Sequence, residues 1–248
     1  MSYERFSYLY DDLMRDVPYE KWVEFIHAMC EKYHVKGKEL LDLACGTGEL
    51  SVRLSKTGYN VTGVDLSADM LTVAQEKSFH SGEAIQFLQQ NMSEIDLINS
   101  YDIIGIFCDS LNYLQTEDEI QSTFKRVKLF LQKKGLFIFD VHSLYKINDV
   151  FIDQTYTYDD DAICYIWNCF AGEYPNSVDH ELTFFVEDGS GKYDRIDENH
   201  TQRTYSVSTY LKWLDEAGFE VLEILGEDFE GEPTPKSERI FFVTRPKI

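Results

Sequence analysis

The sequence predicts an α/β fold built around a mostly parallel sheet, and three observations lead to this prediction. Residues 40–44 form a short apolar run broken only by Asp42, which is typical of a buried parallel strand. A glycine turn over residues 45–48 follows this run and leads into a helix with apolar periodicity. A second β-prone stretch, residues 59–64, ends at Asp65, as the next strand of such a sheet would.

The first turn and the second strand end together predict a binding site. A strand, a glycine turn and a helix in succession point backbone N–H groups and a positive helix end at a ligand. Gly46 and Gly48 lack a Cβ and can adopt a positive φ, so a ligand can approach the backbone there. The carboxylate of Asp65 is placed to accept both hydroxyls of a ribose. We therefore expect a nucleoside-containing cofactor.

The same residues leave two classes of cofactor open. A dinucleotide fingerprint has a third glycine where this chain has Ser51, and Asp42 faces the turn and would repel a pyrophosphate. Asp42 suits a ligand that carries an ammonium group. A nicotinamide-dependent oxidoreductase remains an alternative that rests on the glycine turn and Asp65 alone.

The other elements follow from local patterns. Apolar residues at helical spacing predict two N-terminal helices separated by Pro18. Ser67 is suited to cap a helix after Asp65, and an apolar stripe after Glu117 predicts a helix that Gly135 ends. A further helix is expected at residues 207–217. The remaining strands of the sheet are predicted at residues 85–88, 103–107, 135–140, 219–225 and 239–244.

Residues 143–203 follow a different pattern. Four β-prone stretches alternate with acidic or Gly/Pro/Asn turns, which predicts a small antiparallel sheet inserted after the fifth strand. His180, His200 and Arg203 of this insertion could contact a substrate or could equally serve the sheet. Acidic residues are concentrated between residues 146 and 200, either as a solvated surface or as a rim that favours a cationic substrate.

Composition excludes several classes of function. The formal net charge is −21, with 23 Lys and Arg against 44 Asp and Glu, so a nucleic-acid partner is not expected. No apolar run approaches the roughly 20 residues of a membrane span. The five cysteines form no Cys-x-x-Cys pair, and nothing resembles a signal peptide or a metal site, so we expect a cytoplasmic protein with reduced thiols and no metal.

The pattern Asp42-x-x-x-Gly46-x-Gly48, followed by Gly63-x-Asp65, resembles the class I S-adenosylmethionine-dependent methyltransferases. Residues 61–71, 90–92, 101–109 and 135–140 are similar to further motifs of that family, in the family's order. The resemblance covers residues 40–140 and the C-terminal helix and strands. It implies a Rossmann-like seven-stranded sheet, mostly parallel with the last strand antiparallel, and an inserted antiparallel β-sheet.

The resemblance also implies an activity and its residues. The cofactor would be S-adenosyl-L-methionine, with S-adenosyl-L-homocysteine as product, and the methyl group would pass by in-line displacement to an N or O nucleophile of a small molecule. A non-catalytic protein that binds the same cofactor is the alternative. Candidate catalytic residues are Tyr113, His142 and Asp109. Candidate cofactor-binding residues are Tyr10, Asp42, Ala44, Cys45, Gly46, Gly48, Asp65, Leu66, Met70, Asn91, Met92 and Phe107.

Together with these patterns, the resemblance implies three regions. Residues 1–36 would form a helical lid, residues 37–145 and 206–248 the cofactor-binding domain, and residues 146–205 an inserted β cover. The expected partner is a small-molecule substrate, with no nucleic acid and no membrane. The chain would act as a monomer or a homodimer.

Overall fold

Two β-sheets organise the chain. The structure is a computed structural model and describes residues 10, 11, 14, 17–160 and 162–247. The strands in this part of the chain are β1 Glu39–Leu43, β2 Asn60–Asp65, β3 Gln86–Gln89, β4 Tyr101–Ile106, β5 Leu131–His142, β6 Gln154–Asp159, β7 Ile163–Ala171, β8 Ser177–Glu187, β9 Tyr193–Arg203, β10 Phe219–Leu225 and β11 Arg239–Pro246. The helices are α1 Tyr19–Lys32, α2 Glu49–Lys56, α3 Ala68–Ser81, α4 Glu117–Phe130 and α5 Val207–Glu216, with a 3₁₀-helix at Ser110–Tyr113 and a π-helix at Lys146–Phe151.

The larger sheet has seven strands in the order β10-β11-β5-β4-β1-β2-β3. Strand β1 pairs in parallel with both β2 and β4, whereas β11 is antiparallel to β5 and to β10. This arrangement confirms the predicted α/β fold with its antiparallel last strand. The strand order reverses between β1 and β4, and the crevice beyond the carboxyl ends of such strands is where open α/β sheets bind ligands.

Helices cover both faces of this sheet, which explains the continuous apolar run of β1. Leu41 and Leu43 pack into one cluster with side chains of α4 and α5. Leu40 packs into the other cluster with α1 and α2. Because helices cover both faces, a central parallel strand has no solvent side and shows no alternation of polar and apolar residues.

The second sheet is a four-stranded antiparallel meander, β6-β7-β8-β9, inserted between β5 and α5 as the sequence predicts. Phe184 and Ile196 on its inner face form an apolar cluster, and Tyr10 and Met70 pack against that cluster. The inserted sheet is thus in contact with the N-terminal segment and with α3. The boundaries of the three predicted regions remain a prediction.

One predicted helix end is wrong. Helix α4 ends at Phe130 and strand β5 begins at Leu131, so Gly135 lies within a strand and does not end the helix. The glycine has a packing role, because a Cβ there would lie 2.6 Å from the carbonyl oxygen of Asp102. Strand and helix compete for the polar residues between Leu131 and Gly135, and pairing of Leu131 with Tyr101 of β4 favours the strand.

Two other predictions concern the chain termini and membranes. The second predicted N-terminal helix is present as α1, directly after Pro18. The first falls mostly on residues outside those that the structure describes.

Within the described ranges, no helix is long and apolar enough to cross a membrane.

Candidate active site

A cavity of about 650 Å³ opens at the carboxyl ends of β1, β2 and β4. It lies at the point where the strand order reverses, and it also contacts the N-terminal segment and the inserted sheet. Eleven of the predicted cofactor-binding residues line it, and the predicted catalytic residue Tyr113 lines it as well. These eleven are Tyr10, Asp42, Ala44, Cys45, Gly46, Asp65, Leu66, Met70, Asn91, Met92 and Phe107.

The glycine turn forms the floor of the cavity. Gly46 has φ +54°, and apart from its chain neighbours no described residue has an atom within 4 Å of where its Cβ would be, so the turn leaves room for a ligand. Gly48 has φ +72° and precedes α2, but its Cβ position is 3.0 Å from the Cβ of Ala74 in α3. Gly48 is therefore enclosed by packing and does not line the cavity. Both glycines allow the positive φ of the turn, but a side chain at position 46 would enter the cavity, whereas one at position 48 would clash with α3.

Backbone hydrogen bonds hold the carboxylate of Asp65 at the edge of the cavity. The N–H of Gly46 donates to Oδ2 at 2.8 Å, and the N–H of Ser67 donates to Oδ1 at 2.9 Å. The hydroxyl of Ser67 accepts from the N–H of Met70 and so caps α3, as predicted. Burial raises the pKa of Asp65, and these backbone N–H groups oppose that rise. Each oxygen can still accept a further hydrogen bond, which matches a pair of ribose hydroxyls.

Asp42 is a buried carboxyl at the inner wall of the cavity. Its side chain is 2% exposed, and the hydroxyl of Ser51 donates to its Oδ2 at 2.5 Å. Burial raises the pKa of Asp42 to about 6, against the effect of the Ser51 hydrogen bond. Among the described residues that line the cavity there is no Lys or Arg. A cation that enters this cavity would stabilise the Asp42 carboxylate.

Comparison with known proteins agrees with this geometry. A family described as a methyltransferase domain matches residues 40–135. A Geobacillus sp. (strain WCH70) protein with a provisional methyltransferase name is 49% identical over 99% of this chain and 100% of its own. The crystal structure of an S-adenosylmethionine-dependent methyltransferase from Clostridium acetobutylicum ATCC 824 is 32% identical, covers 100% of both chains and has a TM-score of 0.91.

The chain belongs to the class I S-adenosylmethionine-dependent methyltransferases. CalS10, an amino pentose methyltransferase from Micromonospora echinaspora solved with S-adenosylmethionine bound, shares the fold at 17% identity, with 96% of each chain covered and a TM-score of 0.74. The family sets aside the nicotinamide-dependent alternative. In this methyltransferase, Ser51 takes the third glycine position and its hydroxyl is bound to Asp42.

Asp109 and His142 of the methyltransferase lie beside the cavity and do not line it. Asp109 Oδ1 is 2.7 Å from Arg239 Nη2, and Asp109 Oδ2 is 3.2 Å from His142 Nε2. The side chain of Gln202 donates to the same Oδ2 at 2.7 Å. Burial alone would raise the pKa of Asp109, but His142 and Arg239 hold it well below its usual range. Both oxygens of Asp109 and Nε2 of His142 are engaged in this network, and the catalytic role of both residues remains a prediction.

Arg239 joins the buried carboxyl of Asp140 to the half-buried carboxyl of Asp109. It also pairs with Asp140, whose Oδ2 accepts the backbone N–H of Asp109 at 2.9 Å. Burial raises the pKa of Asp140 despite the neighbouring guanidinium. The network joins the ends of β4, β5 and β11 to β9 of the inserted sheet. It therefore connects both sheets directly behind the wall of the cavity.

Several residues outside the predicted catalytic and cofactor-binding sets also line the cavity. Tyr19, Thr47, Ser110 and Glu119 line it, and so does His200 of β9. Tyr19 follows Pro18 at the start of the second predicted N-terminal helix, and Thr47 lies within the predicted glycine turn. His200 is one of the three residues of the insertion that could contact a substrate, whereas Ser110 and Glu119 reach the cavity through tertiary contacts that no local pattern encodes.

The N-terminal segment is attached to the glycine turn. Thr47 Oγ1 donates to Asp11 Oδ1 at 2.5 Å, and Lys77 Nζ of α3 is 2.7 Å from Asp11 Oδ2. Lys77 also pairs with Glu49 at 2.8 Å, which together with Arg53 lowers the pKa of Glu49 against the effect of burial. These contacts hold Asp11 over the turn, next to Tyr10 at the cavity.

Groups of three or more His, Cys, Asp or Glu that could bind a metal are absent from the described residues.

Proposed function

We propose that this enzyme moves a methyl group from S-adenosyl-L-methionine to an N or O nucleophile of a small molecule by in-line displacement. The observation that supports this most strongly is that Asp42, Gly46 and Asp65 line a single cavity. In S-adenosyl-L-methionine, the amino-acid part would meet Asp42 and the ribose would meet Asp65, while Gly46 would leave space for the ligand between them. S-adenosyl-L-homocysteine would be the product.

The residues of the cavity fit this cofactor. Asp65 would accept the ribose hydroxyls, with Gly46 leaving space for the ligand beside the backbone. The Asp42 carboxyl would face the amino-acid part, because burial without a cationic side chain favours a ligand ammonium group. Leu66, Met70, Asn91 and Met92 would surround the adenine.

Aromatic rings supply the remaining wall. Tyr10 of the N-terminal segment and Phe107, the residue after β4, both line the cavity. A positive sulfur beside an aromatic face gains about 0.5 to 2 kcal/mol, with the larger value where water is excluded. The cofactor supplies a methyl group activated by that positive sulfur. The protein would align the acceptor with the methyl carbon and exclude water.

The charges of the cavity favour a neutral or cationic acceptor. Asp42, Asp65 and Glu119 line it, while Glu49 is already paired with Lys77 and Arg53. An anionic acceptor would meet these carboxyls without a compensating Lys or Arg in the described lining. CalS10, which shares the fold, acts on an amino pentose. We favour an amine as the acceptor.

The N-terminal segment, residues 1–36, would act as a lid, and residues 146–205 as a cover over the domain formed by residues 37–145 and 206–248. The contacts of Asp11 with Thr47 and Lys77 support the lid, and the packing of Tyr10 against the inserted sheet supports the cover.

All five cysteines are free, which supports a cytoplasmic location.

Calorimetric titration with S-adenosylhomocysteine tests the cofactor site. Asp65→Ala removes a charged acceptor of two hydroxyls, so we expect affinity to fall about 100-fold. Asp228→Ala, at an exposed position in the loop between β10 and β11, is the matched control and should bind as the wild type does. Equal affinity of Asp65→Ala and the wild type would contradict the proposed site.

Turnover is tested by release of S-adenosylhomocysteine with a panel of amines, phenols and other small nucleophiles. Methylation of amines in preference to acids supports the proposed acceptor class. Cofactor binding without turnover on any member of the panel would favour the non-catalytic alternative.

A further inference from the structure

His200 stands apart from the other histidines of the chain. Of the six histidines, it is the one that lines the cavity. It lies on β9 of the inserted sheet, and its ring meets that of Tyr113 edge to face, with 6.0 Å between centroids and 88° between planes. Tyr113 belongs to the 3₁₀-helix that follows β4, so two separate parts of the chain bring these rings to the same wall.

Two neighbouring histidines are occupied elsewhere. His142 faces Asp109 through Nε2 at 3.2 Å. His180, which pairs with His200 across β8 and β9, accepts from Trp167 Nε1 at Nδ1 and contacts Gln202 Oε1 through Nε2 at 3.2 Å. Both rings are held in the network behind the cavity wall, away from the space where an acceptor would bind.

The surroundings of His200 keep its imidazole neutral. Burial lowers the pKa of His200, so the ring is uncharged at neutral pH and can accept a proton. The titratable groups on this part of the cavity are Tyr10 and Tyr19 of the N-terminal segment, Cys108 and Tyr113 after β4, and Glu119 at the start of α4. His180 lies opposite on β8, and burial lowers its pKa to about 4, so it adds no positive charge at neutral pH.

We propose that His200 accepts the proton that the acceptor loses during methyl transfer. This proposal rests on the proposed function, because it assigns a base to that reaction. The N–H bond of a protonated amine, or the O–H bond of a hydroxyl acceptor, breaks and its proton passes to an imidazole nitrogen of His200. The freed electron pair of the acceptor forms the bond to the methyl carbon, and the electrons of the old carbon–sulfur bond remain on sulfur. S-adenosylhomocysteine, the methylated acceptor and a protonated His200 result, and the proton then passes to solvent.

The test compares His200→Gln with His80→Gln, which replaces an exposed histidine at the end of α3. Rates of methyl transfer to a panel of primary amines, secondary amines and phenols are measured across pH, together with S-adenosylhomocysteine affinity. We expect His200→Gln to bind S-adenosylhomocysteine as the wild type does and to methylate about 10²- to 10⁴-fold more slowly. The rise of the wild-type rate with pH in the mildly acidic range should disappear, whereas His80→Gln should keep both rate and profile.

An NMR titration decides the matter independently of the acceptor. The imidazole resonance of His200, assigned by its loss in His200→Gln, should show a neutral ring at pH 7 and should shift when S-adenosylhomocysteine is added. A ring that is charged at pH 7, or that does not respond to the ligand, overturns the proposal. So does a His200→Gln variant with the wild-type rate and pH profile. Failure of the wild type itself to bind S-adenosylhomocysteine would instead refute the proposed function.

Discussion

Asp42→Asn should stabilise the ligand-free enzyme while weakening its binding site. Burial raises the pKa of Asp42 from 3.8 to about 6, so the folded state holds a proton at pH values where the unfolded chain has lost it. The carboxyl therefore opposes folding increasingly as pH rises between those two values. A difference of about 2 pKa units corresponds to about 3 kcal/mol above pH 6, and asparagine removes this penalty.

The pH dependence identifies the cause. The asparagine side chain of the variant can still accept the hydrogen bond of Ser51, so the gain in unfolding free energy should be about 3 kcal/mol at pH 7.5 and about 1 kcal/mol at pH 4.5. Urea denaturation without ligand at both pH values measures it. Asp228→Asn, an exposed control, should change the unfolding free energy by less than about 0.5 kcal/mol.

Ligand binding should change in the opposite direction. Loss of a charged partner for the ligand ammonium group is worth about 1.5 to 3 kcal/mol, so Asp42→Asn should bind S-adenosylhomocysteine about 10- to 100-fold more weakly. Wild-type affinity should also fall as pH drops below about 6 and Asp42 becomes protonated, whereas the variant should lack this dependence. Destabilisation of Asp42→Asn at pH 7.5, or a gain that is equal at both pH values, would refute the reasoning.

Two further substitutions test the packing around the site. Arg239→Met leaves the buried Asp140 and the half-buried Asp109 without their cation and should lower the unfolding free energy by about 3 to 5 kcal/mol. Arg245→Met, which removes an exposed pair with Glu220, should cost less than about 1 kcal/mol. An equal loss in the two variants would contradict the assignment of a buried network. Gly105→Ala places a methyl group against the ring of Phe107. Urea denaturation should therefore show a loss of about 1 to 3 kcal/mol in unfolding free energy, and titration should show a weaker affinity for S-adenosylhomocysteine. Unchanged values of both quantities would show that the Phe107 ring moves freely.

Strand ends were the most predictable part of the site. The carboxyl ends of neighbouring parallel strands share one edge of a sheet, so Asp42 and Asp65 could be placed together from their positions in the sequence alone. The role of Gly48 is harder to read, because its contact with Ala74 depends on how α3 packs. In the sequence, Asp109 is an acidic residue shortly after a predicted strand, and nothing near it in the chain indicates a partner. Its partners, Gln202 and Arg239, are 93 and 130 residues away, and no local pattern connects them.

The same distant contacts explain why an inserted sheet can supply a residue to the site. Cys108 and Asp109 both have positive φ, 55° and 52°, a conformation that costs a non-glycine residue about 1 to 3 kcal/mol unless its surroundings hold it. Arg239 and Gln202 hold Asp109 in that turn. Gln202 lies two residues after His200 on β9, and alternate residues of a strand share a face. The hydrogen bond from Gln202 to Asp109 therefore fixes the turn that forms the cavity wall and, at the same time, the register at which β9 presents His200 to that cavity.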